Sequence, residues 1–167
     1  GWDEPKYKAT IVLTVNDSIM NEAKTFLAEN ADNANKFAEM KEKLQSRLKP
    51  SRFQHSLGVS ETAVTLAKRF GVDEEKARIA GLLHDCARQY PNDELIAEAA
   101  IRGIAIGDVE RETPLLLHAD IGARLVAEEY GVEDEEIQQS IARHTVGGSN
   151  MSDLDKIVYF ADMIEPN

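Results

Sequence analysis

Hydrophobic positions change their spacing near residue 36, and this change divides the chain into two parts. Before it, apolar side chains alternate with more polar ones over residues 7 to 15, and a period of two is typical of a short β-strand. The alternating residues are Tyr7, Ala9, Ile11, Leu13 and Val15. Because a single strand has no partner in this stretch, we interpret it as an edge strand, an extension or a remnant of a larger protein.

Residues 16 to 35 predict one short helix followed by a polar segment. Asn16, Asp17 and Ser18 are residue types that cap helix N-termini, and the helix they begin is predicted to reach about Leu27. The asparagine-rich residues 30 to 35 predict a break in that helix. Since no residue here suggests catalytic chemistry, residues 1 to 35 are interpreted as an N-terminal extension of unknown role.

From residue 36 to the end, apolar residues recur at spacings of three and four, which predicts helices throughout. The first apolar stripe consists of Phe37, Met40, Leu44 and Leu48. Pro50 is predicted to end this helix and Ser51 to cap the next one.

Residues that typically begin or end helices recur along the chain after Ser51. They are Gly71, Asp73, Asn92, Gly103, Thr113, Pro114, Gly131, Asp134 and Ser152. A loop rich in glycine and charge is predicted between Gly103 and Thr113. The pattern predicts about seven or eight helices and an all-α fold class for residues 36 to 167.

The composition is that of a globular protein and limits its partners. Of the 167 residues, 43% are hydrophobic and 29% are charged, and no apolar run approaches the roughly 20 residues that span a bilayer. The start carries no signal-peptide pattern, and the lone cysteine, Cys86, fits a reducing, cytoplasmic setting. We therefore expect no membrane partner.

The charge balance narrows the partners further. With 19 Lys and Arg against 30 Asp and Glu, the formal net charge is −11, which opposes sequence-independent binding to nucleic acid. A small phosphate-bearing ligand remains compatible with this charge if a metal ion or an arginine cluster supplies a local positive centre. The oligomeric state is left open, with a homodimer as one option.

Six ionisable side chains stand beside apolar helical segments. They are His55, His84, Asp85, His118, His144 and Asp162. Buried polar and charged groups need hydrogen-bonding, ionic or metal partners. For any one of these residues alone, a satisfied core histidine or a paired carboxylate is the more common explanation. All four histidines of the chain share this setting, and that coincidence favours a metal site.

Two of the histidines also occupy corresponding places in a faint internal repeat. Residues 70 to 75 resemble residues 130 to 135, and each segment joins two predicted helices. His84 and His144 both follow 13 residues after the glycine of their segment. Helix junctions of this composition are common, so the shared spacing has an ordinary explanation too. The repeat predicts two similar helix pairs that each deliver an imidazole near the end of the second helix.

Four imidazoles and two carboxylates can supply six protein ligands, which suits two divalent first-row metal ions better than one. We hypothesise that the first ion is held by His55, His84, Asp85 and Asp162. The second would then be held by His118 and His144, with Asp85 bridging the two ions. Such a set leaves open positions for water and phosphate oxygens, whereas the absence of a cysteine cluster argues against a structural zinc site.

These residues carry a resemblance to a known family. They resemble the H...HD...D signature of the HD-domain metal-dependent phosphohydrolases, with two further histidines that dinuclear members share. The signature residues are His55, His84, Asp85 and Asp162, and the further histidines are His118 and His144. Longer sequence segments around these residues are similar to the YqeK group of that family. The segments are residues 84 to 88, 116 to 119, 142 to 145 and 155 to 167. The resemblance covers about residues 40 to 167.

The resemblance implies an HD-domain helical bundle and a symmetrical diadenosine tetraphosphate hydrolase. Such an enzyme cleaves its nucleotide substrate into two ADP molecules, with iron as the expected native metal and manganese as an alternative. In the mechanism we favour, a metal-activated hydroxide attacks phosphorus. Asp85, as the bridging ligand, and Arg88 are the residues we assign to catalysis.

Five residues near the ligands are candidates for phosphate contacts. Arg88 is the first of them, because it follows His84 by four residues and so lies on nearly the same helix face. A surface salt bridge is the competing interpretation of Arg88. Arg52, Arg143 and Lys156 are weaker candidates by proximity in sequence, and Thr145 is expected either to orient His144 or to contact phosphate.

Two alternatives remain open. An HD-type hydrolase can act on another nucleotide, such as a nucleoside monophosphate, a dNTP or a cyclic nucleotide. The second alternative is a non-catalytic module in which metal stabilises the helices or nucleotide is only sensed.

Overall fold

A computed structural model describes residues 16 to 166, and no strand occurs among them. The eight α-helices of this range are α1 Asp17–Arg47, α2 Pro50–Phe70, α3 Glu74–Leu83, α4 Leu95–Ile101, α5 Asp108–Glu112, α6 His118–Tyr130, α7 Glu135–Ala142 and α8 Asp153–Ile164. Short 3-10 helices occur at Cys86–Gln89, Asn92–Glu94 and Pro114–Leu117. The all-α prediction is confirmed, and the strand predicted for residues 7 to 15 lies outside the described residues.

Helix α1 is longer than the sequence pattern indicated. Its N-terminus is capped as predicted, since the Asn16 side chain accepts a hydrogen bond from the Ile19 N–H at 2.9 Å. The break predicted for residues 30 to 35 was wrong, because the helix continues through that segment to Arg47. Alanines are interspersed with the asparagines, and each asparagine costs a helix only a fraction of a kcal/mol, about 0.7 at most. An ion pair between Lys36 and Asp32, at 3.0 Å, adds support on the surface.

Two other local predictions were wrong. Helix α2 begins at Pro50, and its N-cap is Lys49, two residues before the predicted cap Ser51; Lys49 is in an extended conformation and its side chain forms no cap hydrogen bond. Proline suits the first helical turn because its missing N–H would have no helical partner there. The loop predicted between Gly103 and Thr113 contains the one-turn helix α5, which the Glu110 side chain stabilises by accepting from the Gly107 N–H at 3.0 Å.

The cap predicted at Asn92 was wrong, because Asn92 is the first residue of a 3-10 helix with Pro91 at its N-cap, and α4 begins after it with Glu94 at its own N-cap. Five other helix ends follow the predicted chemistry. Asp73, Asp134 and Ser152 each accept a hydrogen bond from the backbone N–H three residues later, at 3.0 Å. Gly71 and Gly131 end α2 and α6 with φ of 70° and 68°, in the left-handed region that favours glycine. These ends determine where the residues that follow each helix can project.

The chain divides into two compact units between Glu39 and Met40. In the second unit, α3 lies at the centre and packs against α2, α7 and α8, while α6 packs against α7 and the Cys86–Gln89 turn. The largest fully buried side chains are Leu44, Leu82, Leu83, Leu95, Leu117, Ile121, Leu125, Ile141, His84, Val59, Val126 and Val158. A histidine therefore lies among the aliphatic side chains of the core, at the end of the central helix.

The crossing of α2 and α3 depends on a glycine. A Cβ at Gly81 would lie 2.8 Å from the Ser60 Cα and 3.0 Å from the Val59 carbonyl oxygen. Both contacts involve backbone, which cannot move aside as a flexible side chain can. The close approach holds the end of α3 against α2, the helix that carries His55.

None of the helices formed by residues 16 to 166 combines the length and the apolar character needed to cross a membrane.

Candidate metal centre

The six ionisable residues singled out in the sequence come together in one cluster at the ends of several helices. His55 lies on α2, His84 and Asp85 directly follow α3, His118 begins α6, His144 follows α7, and Asp162 lies on α8. All but Asp162 are at least 95% buried, and the Asp162 side chain is 30% exposed. The cluster is therefore a polar site within the helical core, open on the Asp162 side.

Three of the histidines are oriented by the same local hydrogen bond. The Nδ1 atoms of His84, His118 and His144 lie 2.7, 2.5 and 2.6 Å from the carbonyl oxygen of the residue three positions earlier. A carbonyl can only accept, so Nδ1 carries the proton and Nε2 presents a lone pair. Metal-binding histidines are commonly oriented in this way. In the two helix pairs that the internal repeat predicted, His84 and His144 share this arrangement.

Asp85 lies at the centre of the cluster. Its Oδ1 is 3.2 Å from His118 Nε2 and 3.5 Å from His144 Nε2, while its Oδ2 is 3.5 Å from His84 Nε2 and 3.3 Å from Arg52 Nη1. One carboxylate thus contacts three imidazoles and a guanidinium. Asp85 therefore connects the imidazole of His84 with those of His118 and His144.

A second carboxylate faces the other side of the cluster. Asp162 Oδ1 lies 2.9 Å from His55 Nε2 and 3.3 Å from His84 Nε2. His84 therefore stands between Asp85 and Asp162. Possible ligand atoms within 4.8 Å of one another form two groups, one of His55, His84 and Asp162 and one of His84, Asp85 and His144.

The donor chemistry fits a cation. The Nε2 atoms of His118 and His144 face each other at 3.1 Å, although their Nδ1 hydrogen bonds leave both with lone pairs. His84 Nε2 is buried and has no hydrogen-bond partner among residues 16 to 166. Converging lone pairs repel one another unless a proton or a metal ion lies among them. Imidazole and carboxylate ligands suit divalent first-row metals.

The protonation of the cluster agrees with this interpretation. Burial raises the pKa of Asp85, but His84, His118 and His144 lower it more, and the net pKa lies below the ordinary range. Burial likewise raises the pKa of Asp162, which His84 and His55 bring down to about 2. Both carboxylates are therefore ionised at neutral pH. Burial lowers the pKa of His84 whereas Asp85 and Asp162 raise it above its usual value, so the site attracts positive charge.

A cleft of about 240 Å³ opens onto the cluster. Its lining includes Asp85, His118, His144 and Asp162, together with Arg52, Arg88, Thr145, Tyr159 and Met163. The Arg88 side chain forms no hydrogen bond or ion pair with any residue from 16 to 166. Thr145 Oγ1 is buried and also has no hydrogen-bond partner within that range. A cation and a hydroxyl are thus available where a ligand would meet the cluster.

Two other phosphate candidates lie outside this cleft. Arg143 Nη1 is 3.1 Å from the fully buried carboxylate of Asp155 and 3.3 Å from the Asn150 carbonyl oxygen. Lys156 lines a separate apolar groove with residues such as Leu66 and Phe160. The structure therefore brings Arg52, Arg88 and Thr145 to the cleft, and it places Arg143 in an ion pair that connects the end of α7 to α8.

The sequence interpretation missed Tyr159 and Met163 as cleft residues. Both lie on α8, where Tyr159 precedes Asp162 by three residues and Met163 follows it by one. Helical spacing from Asp162 would have indicated Tyr159. Asp155 was also missed, although a carboxylate among the apolar residues of α8 was the signal that singled out Asp162.

Known proteins resemble this chain in sequence and in fold. The HD domain family matches residues 52–167. Two similar proteins named symmetrical bis(5'-nucleosyl)-tetraphosphatase come from Halalkalibacterium halodurans, 43% identical over 125 residues, and Bacillus subtilis, 41% identical over 124 residues. Each match covers 74% of this chain, and this chain spans 66% of the length of each relative.

The fold is also similar to a crystal structure from Clostridium acetobutylicum, named as a predicted HD superfamily hydrolase involved in NAD metabolism. The TM-score is 0.74 at 42% sequence identity, with 78% of this chain and 69% of that chain covered. The family match includes all six clustered side chains. The chain therefore belongs to the HD-domain family.

Proposed function

We propose that this protein is a metal-dependent phosphohydrolase that cleaves diadenosine tetraphosphate symmetrically into two ADP molecules. The observation that carries the proposal is the position of Asp85, which contacts three imidazoles with oriented Nε2 lone pairs. It lines a cleft that also contains Arg88, an arginine without an ionic partner among residues 16 to 166. The relatives named as symmetrical tetraphosphatases support the choice of substrate. The proposed catalytic domain is residues 36 to 167, with residues 1 to 35 as an extension whose role is unassigned.

For the metal site, we propose two divalent ions, with iron as the native metal. In this proposal His55, His84, Asp85 and Asp162 hold the first ion, His118 and His144 hold the second, and Asp85 bridges the two. The contacts that support it are the two groups of ligand atoms within 4.8 Å of one another, His55 with His84 and Asp162 and His84 with Asp85 and His144. His118 Nε2 lies 3.1 Å from His144 Nε2 and 3.2 Å from Asp85 Oδ1. Metal ions bound there would supply Lewis-acid stabilisation of phosphate charge and activation of water.

The remaining chemistry belongs to the side chains of the cleft. Arg88 is proposed to bind a non-bridging phosphate oxygen, since its guanidinium lines the cleft without an ionic partner among the described residues. Arg52 would bind a second phosphate oxygen while its contact at 3.3 Å orients Asp85. The Thr145 hydroxyl is proposed to donate to the phosphate chain. Arg143 and Lys156 are left out of this set, because Arg143 is engaged with Asp155 and Lys156 lies in another groove.

The product of hydrolysis tests the proposed activity. We expect metal-loaded protein to convert diadenosine tetraphosphate to ADP alone, measured by ion-exchange chromatography of the products. ATP together with AMP would contradict symmetric cleavage. Hydrolysis of a nucleoside monophosphate, a dNTP or a cyclic nucleotide in preference would support the alternative substrate class. Nucleotide binding without any hydrolysis would support a sensing module.

Replacing Arg88 tests the phosphate clamp. Arg88→Ala should lower kcat/KM for diadenosine tetraphosphate by roughly 10- to 100-fold, because a charge-assisted hydrogen bond contributes about 1.5–3 kcal/mol. Arg88→Lys should recover part of this loss, since it retains charge but not the planar donor pair. The matched control is Arg111→Ala, which removes an exposed arginine of α5 outside the cleft. Equal kinetics for Arg88→Ala and the control would contradict the assignment.

A further inference from the structure

The cleft has an apolar part whose residues the metal chemistry does not use. Tyr159 and Met163 both come from α8, where a spacing of four places them one turn apart on the same face. The cationic and hydroxyl groups of the cleft come from other elements: Arg52 from α2, Arg88 from the Cys86–Gln89 turn and Thr145 from the segment after α7. The lining thus contains two chemically different sets of side chains.

The side chains of the apolar part are accessible. Tyr159 is half-buried and its hydroxyl forms no hydrogen bond with residues 16 to 166, while Met163 is 58% exposed. The Tyr159 ring packs edge-on against Phe160, with ring centroids 6.0 Å apart and planes at 87°. This contact restrains the orientation of the ring that lines the cleft.

The size of the cleft indicates how much of a nucleotide it can take. Pockets that enclose a drug-sized ligand measure roughly 300–1,000 Å³, whereas this cleft measures about 240 Å³. The cleft is therefore suited to one end of a dinucleoside polyphosphate, and the second nucleoside would lie outside it.

We propose that Tyr159 and Met163 form a shelf that binds the purine base at one end of the substrate. The inference rests on the proposed nucleotide hydrolase function and adds the residues that recognise the base. Aromatic rings stack on the π face of a base, and a methionine thioether adapts to the same apolar surface. With the phosphates held by Arg52 and Arg88, the base of the same nucleotide meets the side chains of α8.

A pair of ligands, one with the purine base and one without it, tests this shelf directly. The probes are AMP and ribose 5-phosphate, and their dissociation constants are measured by titration calorimetry on protein purified without chelator. Wild-type protein should bind AMP more tightly than ribose 5-phosphate. In the double variant that carries both Tyr159→Ala and Met163→Ala, the affinity for AMP should fall roughly five- to tenfold. The affinity for ribose 5-phosphate should stay unchanged.

Two further variants separate the shelf from other roles. Tyr159→Phe keeps the ring and should retain wild-type AMP affinity. Phe70→Ala, which removes a 66% exposed aromatic ring outside the cleft, should leave both affinities unchanged.

Several results would overturn the shelf. In the double variant, these are an unchanged affinity for AMP or equal losses of affinity for AMP and for ribose 5-phosphate. In Tyr159→Phe, it is a loss of affinity for AMP. In wild-type protein, it is the absence of detectable AMP binding or of a preference for AMP over ribose 5-phosphate. Failure of the proposed function appears separately, as wild-type protein that forms no ADP from diadenosine tetraphosphate.

Discussion

Replacing Asp85 by asparagine is expected to reduce kcat for diadenosine tetraphosphate by about 10³-fold or more. Asp85 contacts the Nε2 atoms of His84, His118 and His144 and the Arg52 guanidinium. An amide has nearly the same shape but carries no charge, so it would leave the converging imidazoles without the carboxylate that bridges them in our assignment. We therefore expect the metal content of Asp85→Asn to fall together with its activity.

The measurement combines steady-state kinetics with metal analysis of the purified protein. Asp153→Asn makes the same chemical change at an exposed position in the first turn of α8 and should retain both activity and metal. Thermal unfolding of both variants separates loss of the site from loss of the fold. If Asp85→Asn retained its metal and more than a tenth of wild-type kcat, the central role of Asp85 would be wrong.

Replacing His118 by alanine is expected to remove one metal ion and to retain part of the other, with a fall in kcat of about 100-fold. His118 contacts His144 at 3.1 Å and Asp85 at 3.2 Å, and it takes no part in the group of His55, His84 and Asp162. Its loss should therefore weaken one ion site far more than the other. The measurement is the metal-to-protein ratio by elemental analysis, alongside kcat.

The reciprocal variant, His55→Ala, provides the comparison for the second site. His55 contacts Asp162 at 2.9 Å and belongs to the opposite group. We expect His55→Ala to lose the ion that His118→Ala retains. Full metal occupancy in His118→Ala would contradict the two-ion assignment, and complete loss from both variants would indicate a single shared ion.

Local rules predicted much of the helical architecture. The caps at Asp73, Asp134 and Ser152 are interactions with the backbone three residues later, and the left-handed glycines Gly71 and Gly131 close helices by their own conformational freedom. Such features depend on a few consecutive residues. The sequence displays them without reference to the rest of the chain.

Predictions from the same rules were wrong where several weak preferences for and against helix compete. Residues 30 to 35 contain asparagines that disfavour helix, but alanines, the absence of glycine and proline, and the ion pair of Lys36 with Asp32 support it. Each contribution is a fraction of a kcal/mol, so their balance decides the outcome. The one-turn helix α5 is a similar case, since its capping interaction from Glu110 was hidden in a charged segment.

Residue types indicated the chemistry of the site and allowed a division of its ligands to be hypothesised, whereas the contacts themselves came only from the structure. His55, His84, Asp85, His118, His144 and Asp162 were singled out because each borders an apolar helical segment. Nothing in their spacing showed that His55 Nε2 meets Asp162, which is 107 residues away in the chain. The same limit explains why Arg143 looked like a phosphate ligand until its ion pair with Asp155 was seen.

The sequence by itself determined the helical periodicity, most helix ends, and a set of imidazoles and carboxylates too unusual for an ordinary core. These properties follow from neighbouring residues and from the composition of each helix face. Only the tertiary structure decided that Asp85 lies between the imidazoles, that Arg88 is unpaired in the cleft among the described residues, and that Tyr159 and Met163 line it. Those relations depend on how helices cross, as at the backbone contact of Gly81 with Ser60, and long-range packing of this kind leaves no local pattern in the chain.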